Sequence, residues 1–129
     1  MRDLSCADIT ALIRDLCIEA NCYLPADVRC AICAAREQEQ SPVGQSILGD
    51  LVENYTFAGE KRLPICQDTG MAVVFIDLGQ ECHIAGGTLE DAVNAGVAAG
   101  YTDGFLRKSL VSDPIRRVNT ETNTPAVLH

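Results

Sequence analysis

The apolar residues change their spacing near position 58, so the chain suits neither an all-helical nor an all-strand fold. Before that point, three stretches place apolar side chains three and four apart. Ser5 is placed to cap the first, whose stripe is Ile9, Leu12, Ile13, Leu16, Cys17 and Ala20, and Asp8 favours the positive end of that helix. Residues 21–24 form a break. Pro25 stands where a first helical residue tolerates it, ahead of a stripe of Val28, Ala31, Ile32 and Ala35. Polar residues 36–40 close that helix. Ser41 and Pro42 open a third by the same device, with Val43, Ile47, Leu48, Leu51 and Val52 as its expected buried face.

Residues 58–63 read as a loop, and 64–70 (Pro-Ile-Cys-Gln-Asp-Thr-Gly) are rich in turn formers. The near-continuous apolar run at 71–78 predicts a buried strand. Gly79-Gln80 makes a tight connection, so 81–85 is expected as its antiparallel partner. Gly86-Gly87-Thr88 starts a fourth helix carrying Leu89, Ala92, Val93, Gly96, Val97 and Gly100. Gly96 and Gly100 lower helix propensity on a buried stripe, and close approach of another backbone accounts for them. The chain stops at Pro125-Ala126-Val127-Leu128-His129, inside what reads as a beginning strand, and the expectation is a chain cut rather than finished. The expected class is α+β. It comprises an N-terminal helical layer (1–57) and then a small mixed or antiparallel sheet with a packed helix (64–129), all within one truncated domain spanning 1–129.

Composition removes several functions. At 129 residues, 47% hydrophobic and 22% charged, the chain has ordinary globular usage, which excludes wholesale disorder. No apolar run nears the roughly 18 residues of a spanning helix, and the first residues lack the apolar core of a secretory signal. A net charge of −8 excludes nucleic acid as a partner. Seven cysteines, an odd number without a signal peptide, read as reduced thiols and point to the cytoplasm. The charge is uneven, with six basic and sixteen acidic side chains in 1–103. Beyond that, Arg107, Lys108, Arg116 and Arg117 face only Asp113 and Glu121. This local reversal is either an anion-holding segment or a solvated basic loop.

Cys66, Gln67 and Asp68 put a soft metal ligand, an amide and a carboxylate side by side before an apolar run. Gln67 and Asp68 can hydrogen-bond a polar ligand or move a proton; the plain alternative is a cysteine beside an Asp-Thr-Gly turn. Cys30 and Cys33 form a CxxC inside a helix, with no second pair at zinc spacing, so inert packing competes with redox or metal use. Cys6, Cys17, Cys22 and Cys82 are scattered and read as small hydrophobes. His83 falls in a strand and His129 at the last position, so no Cys–His or Ser–His–Asp arrangement can be argued. Gly86-Gly87-Thr88 is too short for a phosphate-binding fingerprint and reads as a turn with a cap. Arg107 offers a planar fork for a carboxylate, or is a surface arginine.

Taken in order, these stretches resemble the N-terminal part of the class I, iron–sulfur fumarate hydratases and the L-tartrate dehydratase alpha subunits. The similar segments are 16–21 (LCIEAN), 24–28 (LPADV), 41–44 (SPVG), 64–70 (PICQDTG), 79–80, 86–87, 105–109 (FLRKS), 119–120 and 123–129 (NTPAVLH), covering essentially the whole chain. The resemblance implies that Cys66 is one of three cysteines binding a [4Fe-4S] cluster. It implies further that Gln67 and Asp68 contact substrate, with Asp68 the catalytic proton-transfer group, and that Arg107 binds a substrate carboxylate. The implied activity is that of a hydro-lyase, hydrating or dehydrating a small dicarboxylate such as fumarate/malate or tartrate/oxaloacetate. The family's other two cluster cysteines lie beyond residue 129, and Thr122 stands where the family loop has Asp. The implied partners are the rest of the alpha subunit, a beta subunit or C-terminal domain, and further copies in a homo-oligomer; alone, the chain is expected to be inactive. Two rival readings remain: a non-catalytic helical interaction module, and a thiol or zinc protein using Cys30 and Cys33.

Overall fold

The computed structural model describes residues 2–129. In chain order its elements are β1 (Arg2–Ser5), α1 (Cys6–Cys22), α2 (Ala26–Gln38), α3 (Pro42–Lys61), β2 (Val73–Val74), β3 (Cys82–Ala85), α4 (Leu89–Asp103) and β4 (Val127–Leu128). The class is α+β, as the change of spacing predicts. Two compact units divide the chain: a continuous one, Glu19–Cys66, and one built from residues up to Ile18 together with Gln67–His129.

In the second of these, α1 and α4 form the core. Ile13 and Cys17 of α1 pack with Val93, Val97 and Tyr101 of α4, and Leu106 and Ala126 close the cluster. The glycine expectation holds. A Cβ on Gly96 would sit 2.7 Å from the Thr10 carbonyl oxygen and 2.7 Å from the Ile13 Cβ, and one on Gly100 would lie 2.8 Å from the Cys17 Cβ. Thr10 also donates its hydroxyl to the Ala92 carbonyl at 3.0 Å. Both helices start as their sequences dictate. The Ser5 hydroxyl oxygen accepts from the Asp8 amide at 3.1 Å, and that of Thr88 accepts from the Asp91 amide at 3.1 Å. Each hydroxyl in turn donates to the same aspartate's carboxylate at 2.7 Å.

The sheet differs from expectation. Residues 81–85 do not form a hairpin with 71–78; instead β3 pairs in parallel with β1, Arg2 opposite Cys82 through Ser5 opposite Ala85. Nothing in the sequence marks β1, because Arg-Asp-Leu-Ser carries no apolar alternation. The run 71–78 is not a continuous buried strand. Val73 and Val74 pair in parallel with Val127 and Leu128 of β4, and backbone hydrogen bonds to 127–129 run from Ala72 to Ile76. Its side chains alternate: Ala72, Val74 and Ile76 pack on the core, while Val73 and Phe75 are exposed. One face is covered by the helices and the other is not, so Phe75 stacks on His129 with ring centroids 5.0 Å apart.

The Glu19–Cys66 unit contains the end of α1, then α2 and α3. Pro25 is the residue capping α2, one position before the expected one. Ser41 caps α3, and Pro42 is its first residue. α3 continues to Lys61 through the stretch 58–61 expected as loop, because Ala58 is a buried packing position and the left-handed turn falls only at Arg62. The predicted buried faces fail here. α2 contains no buried residue, and Val43, Ile47 and Leu51 of α3 are exposed. Two helices can cover only the sides they turn to each other, and the remaining apolar positions stay in solvent. Among the described residues no helix is long and apolar enough to cross a membrane.

Candidate active site

The loop carrying Cys66 is held by backbone and amide contacts within the Glu19–Cys66 unit. The Ile65 amide donates to the Asn21 carbonyl at 2.9 Å, and the Ile65 carbonyl accepts from the Asn54 side-chain amide at 2.9 Å. The residue before Cys66 is thus pinned on both backbone groups, from the end of α1 and from α3. Cys66 itself is exposed.

Gln67, Asp68, Thr69 and Gly70 belong to the other unit, and four hydrogen bonds hold this stretch there. The Thr69 hydroxyl donates to the Arg107 carbonyl at 2.7 Å. The Tyr101 hydroxyl lies 3.2 Å from the Thr69 carbonyl and 3.3 Å from that of Gly70. The Asn123 side-chain amide donates to the Gly70 carbonyl at 2.9 Å. Gly70 has φ of 60°, where a side chain would be strained. Burial pushes the Tyr101 phenol above its ordinary pKa, aided by the nearby Cys17, while its hydrogen bonds offset part of the rise.

Asn123 is fully buried, with φ of 59°, a conformation Asn tolerates better than most residues. Its side-chain oxygen accepts from the amides of Ser109 and Leu110 at 2.8 and 2.9 Å, and its backbone N–H donates to the Thr120 hydroxyl at 3.1 Å. Nearby, the Asn119 side chain donates to the Lys108 carbonyl at 2.7 Å. Thr122, where the resembled loop has an acid, shares a 2.7 Å hydroxyl contact with Thr124. Asn94 completes the setting by accepting from the Ala126 amide at 2.8 Å.

The structure therefore brings the backbone of Arg107 to the loop that carries Gln67 and Asp68, and the side chains of all three residues are exposed. Cys66 precedes Gln67 in the chain and belongs to the Glu19–Cys66 unit. What the sequence reading missed is the set beneath them: Thr69, Tyr101 and Asn123. Thr69 and Asn123 lie inside similar segments at 64–70 and 123–129, yet their partners are far away in the chain, so no local spacing marks them.

Iron–sulfur clusters are held by several thiolates. Among the described residues no three Cys, His, Asp or Glu side chains gather into a group able to hold a metal ion. Cys66 belongs to no such group among the described residues. Cys30 and Cys33 are both exposed, and the Cys33 sulfur lies 3.5 Å from the Tyr55 hydroxyl. That hydrogen bond is the first cause of a raised Tyr55 pKa. Among the described residues the pair belongs to no group of three Cys, His, Asp or Glu side chains. His83 is an exposed strand residue 3.4 Å from the Asp3 carboxylate on β1.

The fumarate hydratase (Fumerase) family model matches residues 10–129. A Methanocaldococcus jannaschii protein described as an L(+)-tartrate dehydratase subunit alpha is 32% identical over 116 residues, 89% of this chain and 40% of that protein. The aerobic class I fumarate hydratase of Escherichia coli K12 is 33% identical over 121 residues, 92% of this chain and 22% of the enzyme. A protein of Geobacillus stearothermophilus described as a class I fumarate hydratase is 32% identical over 74% of this chain and 18% of its own length. The chain thus spans well under half the length of these curated relatives. With the match running from the middle of the first turns of α1 to the final residue, the chain belongs to the fumarate hydratase (Fumerase) family.

Proposed function

We propose that residues 1–129 form the first portion of a hydro-lyase catalytic domain that adds water to, or removes it from, a small dicarboxylate such as fumarate/malate or tartrate/oxaloacetate. The observation that carries this reading is the Thr69–Arg107 hydrogen bond. It ties a loop with a carboxylate and an amide to a guanidinium-bearing arm, in a chain of the fumarate hydratase family. In this reading Arg107 grips one substrate carboxylate with its planar fork. Gln67 hydrogen-bonds the substrate's polar groups. Asp68 takes the proton from the carbon beside a carboxylate during dehydration and returns it during hydration, while a bound cluster would supply the Lewis acidity that lets hydroxide leave the adjacent carbon.

Cys66 is proposed as one thiolate ligand of a [4Fe-4S] cluster, the other ligands coming from outside residues 1–129. The partners are then the remainder of the alpha-type domain and a beta subunit or C-terminal domain, in a homo-oligomer. One relative is described as an alpha subunit, which supports a partner chain. The odd number of cysteines fits a reducing, cytoplasmic setting.

The test is anaerobic reconstitution with iron and sulfide, on the chain alone and with the missing portion supplied in trans. Visible absorbance and dicarboxylate turnover are expected only in the combined sample, and both should vanish with Cys66→Ser. Absorbance and turnover absent from both samples overturn the reading, as does full activity in Cys66→Ser.

A further inference from the structure

We infer that Asn123 is a positioning residue, whose side-chain amide fixes the 67–70 loop, with Gln67 and Asp68, in register with the 107–110 arm that begins at Arg107. This rests on the hydro-lyase reading for its catalytic meaning. The juxtaposition itself is geometric. One planar amide accepts from Ser109 and Leu110 on its oxygen side and donates to Gly70 on its nitrogen side. The two segments it joins are Gly70, which follows Asp68 by two positions, and Ser109, which follows Arg107 by two.

Few other side chains complete this arrangement. An ionised Asp of the same shape cannot donate to the Gly70 carbonyl, Gln is a methylene too long, and Ser is too short to span both sides. Asn also tolerates the left-handed backbone at 123. The group is fully buried, so breaking either side leaves polar backbone without its partner and frees the loop to move. Asp68 and Arg107 are both exposed. The backbone segments that carry them are joined by Asn123 together with the Thr69–Arg107 and Tyr101 hydrogen bonds.

The experiment follows backbone amides by NMR and hydrogen exchange in this chain, with Asn123→Ser and Tyr101→Phe as variants. In Asn123→Ser the Ser109 and Leu110 amides should exchange about tenfold faster or more, and the Gln67 and Asp68 resonances should shift. Tyr101→Phe keeps the buried ring and removes the hydroxyl's contacts with the carbonyls at 69 and 70 and with the Asn123 side chain. It should shift Gln67 and Asp68 while leaving 109 and 110 protected, and it carries the test if Asn123→Ser does not fold. In the enzyme assembled with its missing portion, kcat/KM should fall about 10- to 100-fold in Asn123→Ser, with kcat lowered and KM raised together. A response confined to 109 and 110, or unchanged kcat and KM in both variants, overturns the inference. If the assembled wild type turns over no dicarboxylate, the hydro-lyase reading falls and the catalytic role falls with it. The Gln67 and Asp68 resonances then decide separately whether Asn123 couples the two loops.

Discussion

The hydroxyl of Thr69 donates to the main-chain oxygen of Arg107 across 2.7 Å, so an acidic loop and a basic arm from distant parts of the chain share one hydrogen bond. Thr69→Val removes the donor while keeping the side-chain shape. It should cost about 0.5–1.5 kcal/mol in denaturant unfolding, and Thr69→Ser should recover most of that. Equal stability of the Val and Ser variants would show that the bond contributes nothing.

The crossing of α1 and α4 predicts that a methyl is not tolerated. Gly96→Ala and Gly100→Ala each gain about 1 kcal/mol of helix propensity. Their new Cβ atoms, however, would meet the carbonyl oxygens of Thr10 and Arg14 at 2.7 and 2.9 Å, which are backbone and cannot swing away. Net destabilisation of about 1–3 kcal/mol is expected, read as a lowered Tm. Gly79→Ala, with nothing within 4 Å of its Cβ, should leave Tm almost unmoved.

The helix caps should rank by geometry. Ser5→Ala and Thr88→Ala each lose a 3.1 Å cap bond and a hydroxyl bond to an aspartate, and each should cost about 1 kcal/mol. The Ser41 cap is longer, at 3.4 Å to the Gly44 amide, and Ser41→Ala should cost less. Urea midpoints of the three variants check the order.

Alkaline pH should loosen the α1–α4 core. Burial raises the pKa of the Cys17 thiol above 9.0 and that of the Tyr101 phenol above 10.0, so the folded chain keeps protons the unfolded chain releases. Their contribution to stability is complete below those values and is lost as pH rises through the folded-state pKa of each. Tm measured from about pH 8 to 11 should therefore fall above pH 9. The upper part of the fall should flatten in Tyr101→Phe, and an unchanged slope there would assign it to other groups.

Much of the fold was legible where a residue's role depends on its immediate neighbours. Ser5, Ser41 and Thr88 announce their helices because a cap is satisfied within three positions. Gly96 and Gly100 announce a crossing because nothing else explains two glycines on one buried stripe. Pairing was not legible. Arg2–Ser5 shows no apolar alternation, yet β3 pairs with it in parallel, and the tight connection at Gly79-Gln80 pointed to the wrong partner. The candidate site divides in the same way. Cys66, Gln67, Asp68 and Arg107 stand out by residue type and by resemblance. Asn123 and Tyr101 act across long separations, and their amide and hydroxyl look ordinary until the chain is folded.

The interrupted course of the chain bears on the order in which it folds. The Glu19–Cys66 unit is continuous and helical, whereas the other unit must join residues before Ile18 to residues after Gln67. Parallel pairing of Arg2 with Cys82 closes a loop that contains the whole helical unit. Closing a long flexible loop carries an entropic penalty that grows with the number of free residues. Collapse of the helical segment first shortens the effective loop, and local helical contacts form faster than distant strand pairs. The helical segment is therefore expected to form before the distant pairs at Arg2–Cys82 and Val73–Val127 close, with the α1–α4 core condensing around them.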